Sequence, residues 1–139
     1  MDCVFCEIIK GAASANVIYQ DNDFIAILDK HPISIGHTLV MPKKHLERVN
    51  DFSQTEFSNL YARVHALNRI ITSRLKASAS HISINDGEAA NQLIPHLHVH
   101  IIPRNTNDGV GFTSRKLLPA KEMDELRKQL QIHDLKINV

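Results

Sequence analysis

The chain has 139 residues, 43% of them hydrophobic, and 16 Lys+Arg stand against 15 Asp+Glu for a formal net charge of +1. That is enough for one compact domain, residues 1–139, and too little for two ordinary ones. There is no basic excess to neutralise a run of phosphates, which argues against binding long nucleic acid, and no apolar run approaches the roughly 20 residues that span a bilayer. Met1-Asp2-Cys3 lacks the basic and apolar regions of a secretory leader, so the expected location is cytoplasmic.

In chain order, Val4, Phe5, Ile8 and Ile9 recur at helical spacing and stop at Gly11, which predicts a short N-terminal helix. Val17–Tyr19 and Phe24–Leu28 are β-rich runs around Gln20-Asp21-Asn22-Asp23, a hairpin. His37–Met41 reads as a third strand ended by Pro42. Ser53-Gln54-Thr55-Glu56 has the capping-box pattern, and Phe57, Leu60, Tyr61, Val64, Leu67, Ile71 and Leu75 then mark one buried stripe of a long helix. His81–Asn85 is a further strand, Asp86-Gly87 a turn, His96–Ile102 the last long strand, and Met123, Leu126 and Leu130 mark a C-terminal helix. The expected class is α+β: an antiparallel meander with one long helix packed on it.

Nine histidines in an otherwise ordinary composition single out His96-Leu97-His98-Val99-His100. Alternation along a strand places the three imidazoles on one face and Leu97, Val99 and Ile101 on the other. Such a stripe suits metal ligation or nucleophilic catalysis, with one neutral imidazole attacking and its neighbours donating to an anion. Asn85 to Gln92, just upstream, offers an amide side chain and backbone N–H groups for a phosphate oxygen. Asp29 is an acceptor suited to paired ribose hydroxyls. Cys3-Val4-Phe5-Cys6 is compatible with two core thiols, with redox chemistry, or with half of a tetrahedral zinc site. His31, His65, His81 and His133 receive no role.

His96-Leu97-His98-Val99-His100-Ile101-Ile102 matches the signature of the histidine triad (HIT) superfamily of nucleotide hydrolases and transferases. Leu28-Asp29-Lys30-His31-Pro32, Gly36 to Lys43 and Asn85-Asp86-Gly87 resemble that family's other blocks, in the right order. The similarity covers a core of about 3–104 and leaves 105–139 as a C-terminal extension. The resemblance implies a HIT-like fold paired as a homodimer. It implies a hydrolase that cleaves purine nucleoside 5′-phosphoramidates or related AMP or GMP conjugates through a covalent nucleotidyl-histidine. Dinucleoside polyphosphate hydrolysis, or a nucleotide-binding module of weak activity, are the alternatives. His98 would be the nucleophile, His100 and Asn85 would hold phosphate oxygens, and His37 would support the triad. Asp29 would take the ribose, Ile27 and Ile18 would wall the base, and Gln92 and Leu93 would lie at the phosphate loop.

Members with an N-terminal C-x-x-C imply a structural Zn²⁺ on Cys3, Cys6, His45 of the Pro42-Lys43-Lys44-His45 block, and His96. No organic cofactor is expected. Asn91 and Leu93 stand where the family often has Gly and Ser or Thr, so a side-chain hydroxyl donor is missing at Leu93.

Overall fold

In the computed structural model, residues 2–111 and 115–136 are described. The elements are α1 (Val4–Ile9), β1 (Val17–Gln20), β2 (Phe24–Leu28), β3 (Thr38–Pro42), α2 (Gln54–Leu75), β4 (Ala79–Ile84), β5 (Val99–Arg104) and α3 (Ala120–Leu130). The strands form one five-stranded antiparallel sheet, so the class is α+β as expected. Its order, β1-β2-β3-β5-β4, departs from a plain meander. The chain leaves β3, crosses over through α2, lays β4 at the far edge, and returns β5 into the gap.

Two apolar layers follow from the pleat. Phe24, Ala26, Leu28, Val40, Val99 and Ile101 point one way, to a core closed by α2 and α3. The alternate residues Ile25, Ile27, Leu39 and Met41 point the other way, against Cys3 and Phe5 of the N-terminal segment. Leu60, Val64, Leu67 and Ile71 of α2 are buried, each contributing roughly 1.5–3 kcal/mol over leaving it exposed. Helix α2 starts where the sequence says it should. The Ser53 side chain accepts from Glu56 N at 3.1 Å, and the Glu56 carboxylate accepts from Ser53 N at 2.8 Å.

The last strand begins later than expected, at Val99 instead of His96. Its ladder to β3 ends at the Val40–Val99 pair and its ladder to β4 at Ile84–Val99. Beyond that point Leu97 N donates to Leu46 O, away from the sheet. The side chains still alternate: Leu97, Val99 and Ile101 enter the α2 core, which leaves His98 and His100 on the face of α1.

Candidate functional site

The N-terminal segment and the triad meet at four donors. Cys3 Sγ lies 3.5 Å from His96 Nδ1, Cys6 Sγ lies 3.6 Å from the same nitrogen, and Cys6 Sγ lies 3.3 Å from His45 Nδ1. All four ligand atoms fall within 4.8 Å of one another. Zn–S and Zn–N bonds of about 2.3 and 2.0 Å at a tetrahedral angle require S···N edges of roughly 3.5 Å, so the observed separations fit the edges of such a site. The outer nitrogens are oriented as metal-binding imidazoles require. His96 Nε2 donates to Pro42 O at 2.8 Å, and His45 Nε2 faces Glu47 Oε1 at 3.4 Å. Each imidazole is left with its Nδ1 lone pair turned toward the sulfurs. These four residues could hold a metal ion. Burial, then the neighbouring Cys3 thiol, pushes the Cys6 thiol up, a cost that a bound cation would remove.

A second line of hydrogen bonds fixes the tautomers of the remaining histidines. Ile33 N donates to His37 Nδ1 at 3.0 Å, so the proton of neutral His37 is on Nε2. That Nε2–H meets His100 Nδ1 at 2.9 Å, which leaves the His100 proton on Nε2. His98 Nδ1 lies 2.8 Å from His96 O; a carbonyl only accepts, so His98 keeps its proton on Nδ1 and bears a lone pair on Nε2. Burial, as the leading cause, lowers all three: His37 and His100 to about 3, and His98 below its ordinary value. His37 is therefore neutral, and the 3.6 Å approach of Asp29 Oδ2 to its Nε2 is not an ion pair. Asp29, His37 and His100 also cluster within 4.8 Å, and the His37–His100 hydrogen bond accounts for the approach of the two imidazoles.

These groups open on a cavity of ≈ 980 Å³, the size of a small-molecule site. Phe5, Ile8, Ile27 and Leu39 form an apolar wall, while Asp29, Asn85, Asn91, His98 and His100 bring polar atoms to it. Asn85 spends one N–H on Ala90 O at 2.7 Å, tying it to the turn that follows. That turn ends in Asn91 at φ 64° and ψ 32°. The family's glycine at this position thus corresponds to a left-handed residue, a conformation Asn adopts more readily than most.

Six of the residues expected to touch nucleotide therefore line one cavity: Asp29, Ile27, Asn85, Leu93, His98 and His100. His37 sits behind them, 1% exposed. Two lie elsewhere. Ile18 is fully buried against the α2 and α3 core and its carbonyl accepts from Ile132 N, so it does not wall the cavity. The register shift between Val17 and Tyr19 is the reason, because a bulge changes which face a side chain takes. Gln92 turns its amide inward: Oε1 accepts from Gly87 N at 2.7 Å, and Nε2 donates to Glu47 O and Ile94 O. It braces the loop and does not face the cavity. Leu93 is 87% exposed at the rim. Sequence reasoning missed Phe5, whose ring packs edge-on against His98 at 5.1 Å, and Arg115, which lines the cavity from the C-terminal extension. Helical spacing had marked Phe5 only as apolar, and nothing around Arg115 marks it at all.

A HIT domain is matched over residues 10–107. Among curated proteins, an uncharacterised HIT-like protein of Mycobacterium tuberculosis is 39% identical over 118 residues, 85% of this chain and 82% of its own. An adenylylsulfatase of Arabidopsis thaliana is 35% identical over 129 residues, 93% of this chain and 66% of that longer one. Among solved structures, a Zn-bound histidine triad family protein from Mycobacterium smegmatis superposes with a TM-score of 0.83 at 38% identity, covering 94% of each chain. A hypothetical histidine triad nucleotide-binding protein from Sulfolobus tokodaii gives 0.84 at 37%, covering 92% of this chain and 89% of that one.

Proposed function

This chain belongs to the HIT domain family, and from that premise we propose that it is a nucleotide hydrolase acting on purine nucleoside 5′-phosphoramidates or related nucleotide conjugates. The observation that carries the reading is the 2.8 Å contact of His98 Nδ1 with His96 O. It fixes the tautomer and leaves the Nε2 lone pair as the nucleophile.

In the first step His98 Nε2 attacks the α-phosphorus; the N–P bond forms as the bond to the leaving group breaks, an amine leaving with the electron pair and a proton taken from solvent water at the cavity mouth, an anionic leaving group with the pair alone. The imidazolium that develops is stabilised by Nδ1–H donating to His96 O. His100 Nε2–H, aimed by the His37 relay, donates to a non-bridging phosphate oxygen, with Asn85 beside it. Donors placed where charge develops are worth several kcal/mol in a cavity of this kind. In the second step water attacks phosphorus, the N–P bond breaks, and His98 is regenerated as nucleoside monophosphate leaves. Asp29 takes the ribose hydroxyls and Ile27 walls the base. Substitution His98→Ala should lower turnover of an AMP–amine conjugate by at least about 10³-fold; wild-type turnover by that variant would overturn the mechanism.

The relative of Arabidopsis thaliana, an adenylylsulfatase, favours a second reading of the same site, in which the leaving group is an anion of an anhydride. Dinucleoside polyphosphates fall in that class. Relative turnover of an AMP–amine, adenylyl sulfate and a diadenosine polyphosphate separates these substrates.

For the metal group we propose Zn²⁺, from its two sulfur and two imidazole donors and the Zn-bound neighbour from Mycobacterium smegmatis. With four protein ligands its role is structural, tying α1 to the segment that carries His98. Thiols kept for a metal suit a reducing compartment, in keeping with a cytoplasmic protein. We also propose a homodimer, supported by the place of β4 at the edge of the sheet formed by the described residues and by Ile82, 40% exposed on that strand.

A further inference from the structure

Beyond the HIT domain match at 10–107, Arg115 and Lys116 meet the loop beside the cavity. Lys116 N donates to Pro32 O, and Arg115 Nη1 donates to His31 O at 2.8 Å. The same guanidinium nitrogen lies 3.5 Å from Asp29 Oδ2. Arg115 is thus pinned by its own backbone neighbour and by a carbonyl, with its head group inside the rim that His98 and His100 share.

The charges of this rim give Arg115 a task. Lys30, His31 and Arg115 all line the cavity and are all exposed, and Arg115 is held there by its hydrogen bond to His31 O. Among the described residues that line the cavity, the guanidinium is the permanent cation fixed by a hydrogen bond at its mouth, and Asp29 offsets it. Asp29 Oδ1 already accepts from His31 N at 2.9 Å, so Oδ2 is the oxygen left for ribose hydroxyls. When they take it, the guanidinium loses its partner. It keeps Nη1 on His31 O and has further N–H donors to offer. A phosphate is what such a fork fits best, by two parallel charge-assisted hydrogen bonds.

We propose that Arg115 reads the phosphate charge of the bound nucleotide, exchanging Asp29 Oδ2 for a phosphate oxygen when the ribose hydroxyls occupy that carboxylate. The inference rests on the nucleotide reading of the cavity and adds its anion-selecting residue. The cavity then prefers a nucleoside 5′-phosphate to the bare nucleoside. Conjugates whose leaving group is itself an anion gain more from Arg115 than those releasing an amine.

The test is calorimetric titration of the full, metal-loaded chain with AMP and with adenosine, for wild type, Arg115→Gln, Arg115→Lys and Asp29→Asn. Arg115→Gln is expected to weaken AMP about tenfold and to leave adenosine within about twofold, with Arg115→Lys between it and wild type. Parallel weakening of both ligands would overturn the proposal, because Arg115 would then only hold Asp29 in place; so would unchanged AMP binding. Thermal unfolding of the two Arg115 variants should match wild type, since that side chain is 43% exposed. Asp29→Asn is expected to weaken AMP and adenosine alike. If it does so while Arg115→Gln changes nothing, the nucleotide reading stands and the role of Arg115 falls; if wild type binds neither ligand, both fall.

Discussion

The proton of His98 sits on Nδ1 because the atom facing it is a carbonyl oxygen, and the proton of His100 sits on Nε2 because His37 donates to its other nitrogen. Two imidazoles two residues apart, on the same side of the chain, are thereby given opposite jobs by their neighbours: one presents a lone pair, the other a donor. Removing that donor, in His100→Ala, is expected to lower kcat by about 10²–10³-fold with a smaller change in KM, read from initial rates on an AMP conjugate. The buried pair also sets a pH dependence of stability. His37 and His100 titrate near 6.5 when unfolded and at about 3 when folded. Above about pH 6.5 both states are neutral and the folded protein keeps its full stability. As pH falls from there toward 3 the unfolded chain takes up protons that the folded chain refuses, so stability falls by up to about 1.4 kcal/mol per pH unit for each group. Urea unfolding followed between pH 7 and 4 checks this; a flat profile would contradict it, and replacing His37 by an apolar residue should flatten it in part.

Among the elements, α1 is the one whose place depends most on a few atoms. Its six residues are too short to be stable alone, and only Phe5 among them is buried. Its N-cap is Cys3, whose sulfur accepts from Cys6 N at 3.5 Å. Metal at the Cys3, Cys6, His45 and His96 group would fasten this helix to the triad segment. Chelation, or Cys6→Ser, is expected to cost on the order of 3 kcal/mol and to lower Tm by roughly 10 °C, with amide protection lost first in α1. Elemental analysis finding no stoichiometric zinc in protein prepared without chelator would contradict the metal assignment. The phosphate-side turn makes a different demand. Asn91 is left-handed, so Asn91→Gly should be near neutral while Asn91→Ala costs about 1 kcal/mol; equal effects in thermal unfolding would contradict the backbone explanation. Gly87, at φ 101°, holds a backbone conformation that strains any residue with a side chain, and a Cβ there would also have to displace the end of the flexible Arg48 side chain, 2.8 Å away.

Over the whole molecule, what could be read from sequence was what depends on local periodicity and capping. The stripe Leu60, Val64, Leu67, Ile71 and the Ser53–Glu56 box defined α2 to within a residue, and period-two alternation placed His98 and His100 opposite Val99 and Ile101. The features that escaped are set by register. The insertion of β5 between β3 and β4 depends on long-range pairing, the burial of Ile18 on a single bulge, and the inward turn of Gln92 on the approach of the Glu47 and Ile94 carbonyls. Arg115 escaped because the chain around it has no period, and its meeting with Asp29 is made only by the return of that segment. The outer edge of β4 is likewise a property of the assembled sheet. If it pairs in solution, light scattering should return twice the 15.7 kDa chain mass, and a monomer mass would contradict the dimer.

The covalent intermediate is the most direct test of the whole account. A pre-steady-state reaction of the wild-type chain with an AMP conjugate, quenched at neutral to alkaline pH to preserve a P–N bond, should show an intact-mass increase of one adenylyl group. Peptide mapping should place it on His98, and His98→Ala should show none. Turnover with no adduct, or an adduct on another residue, would contradict the assignment of His98 as the nucleophile.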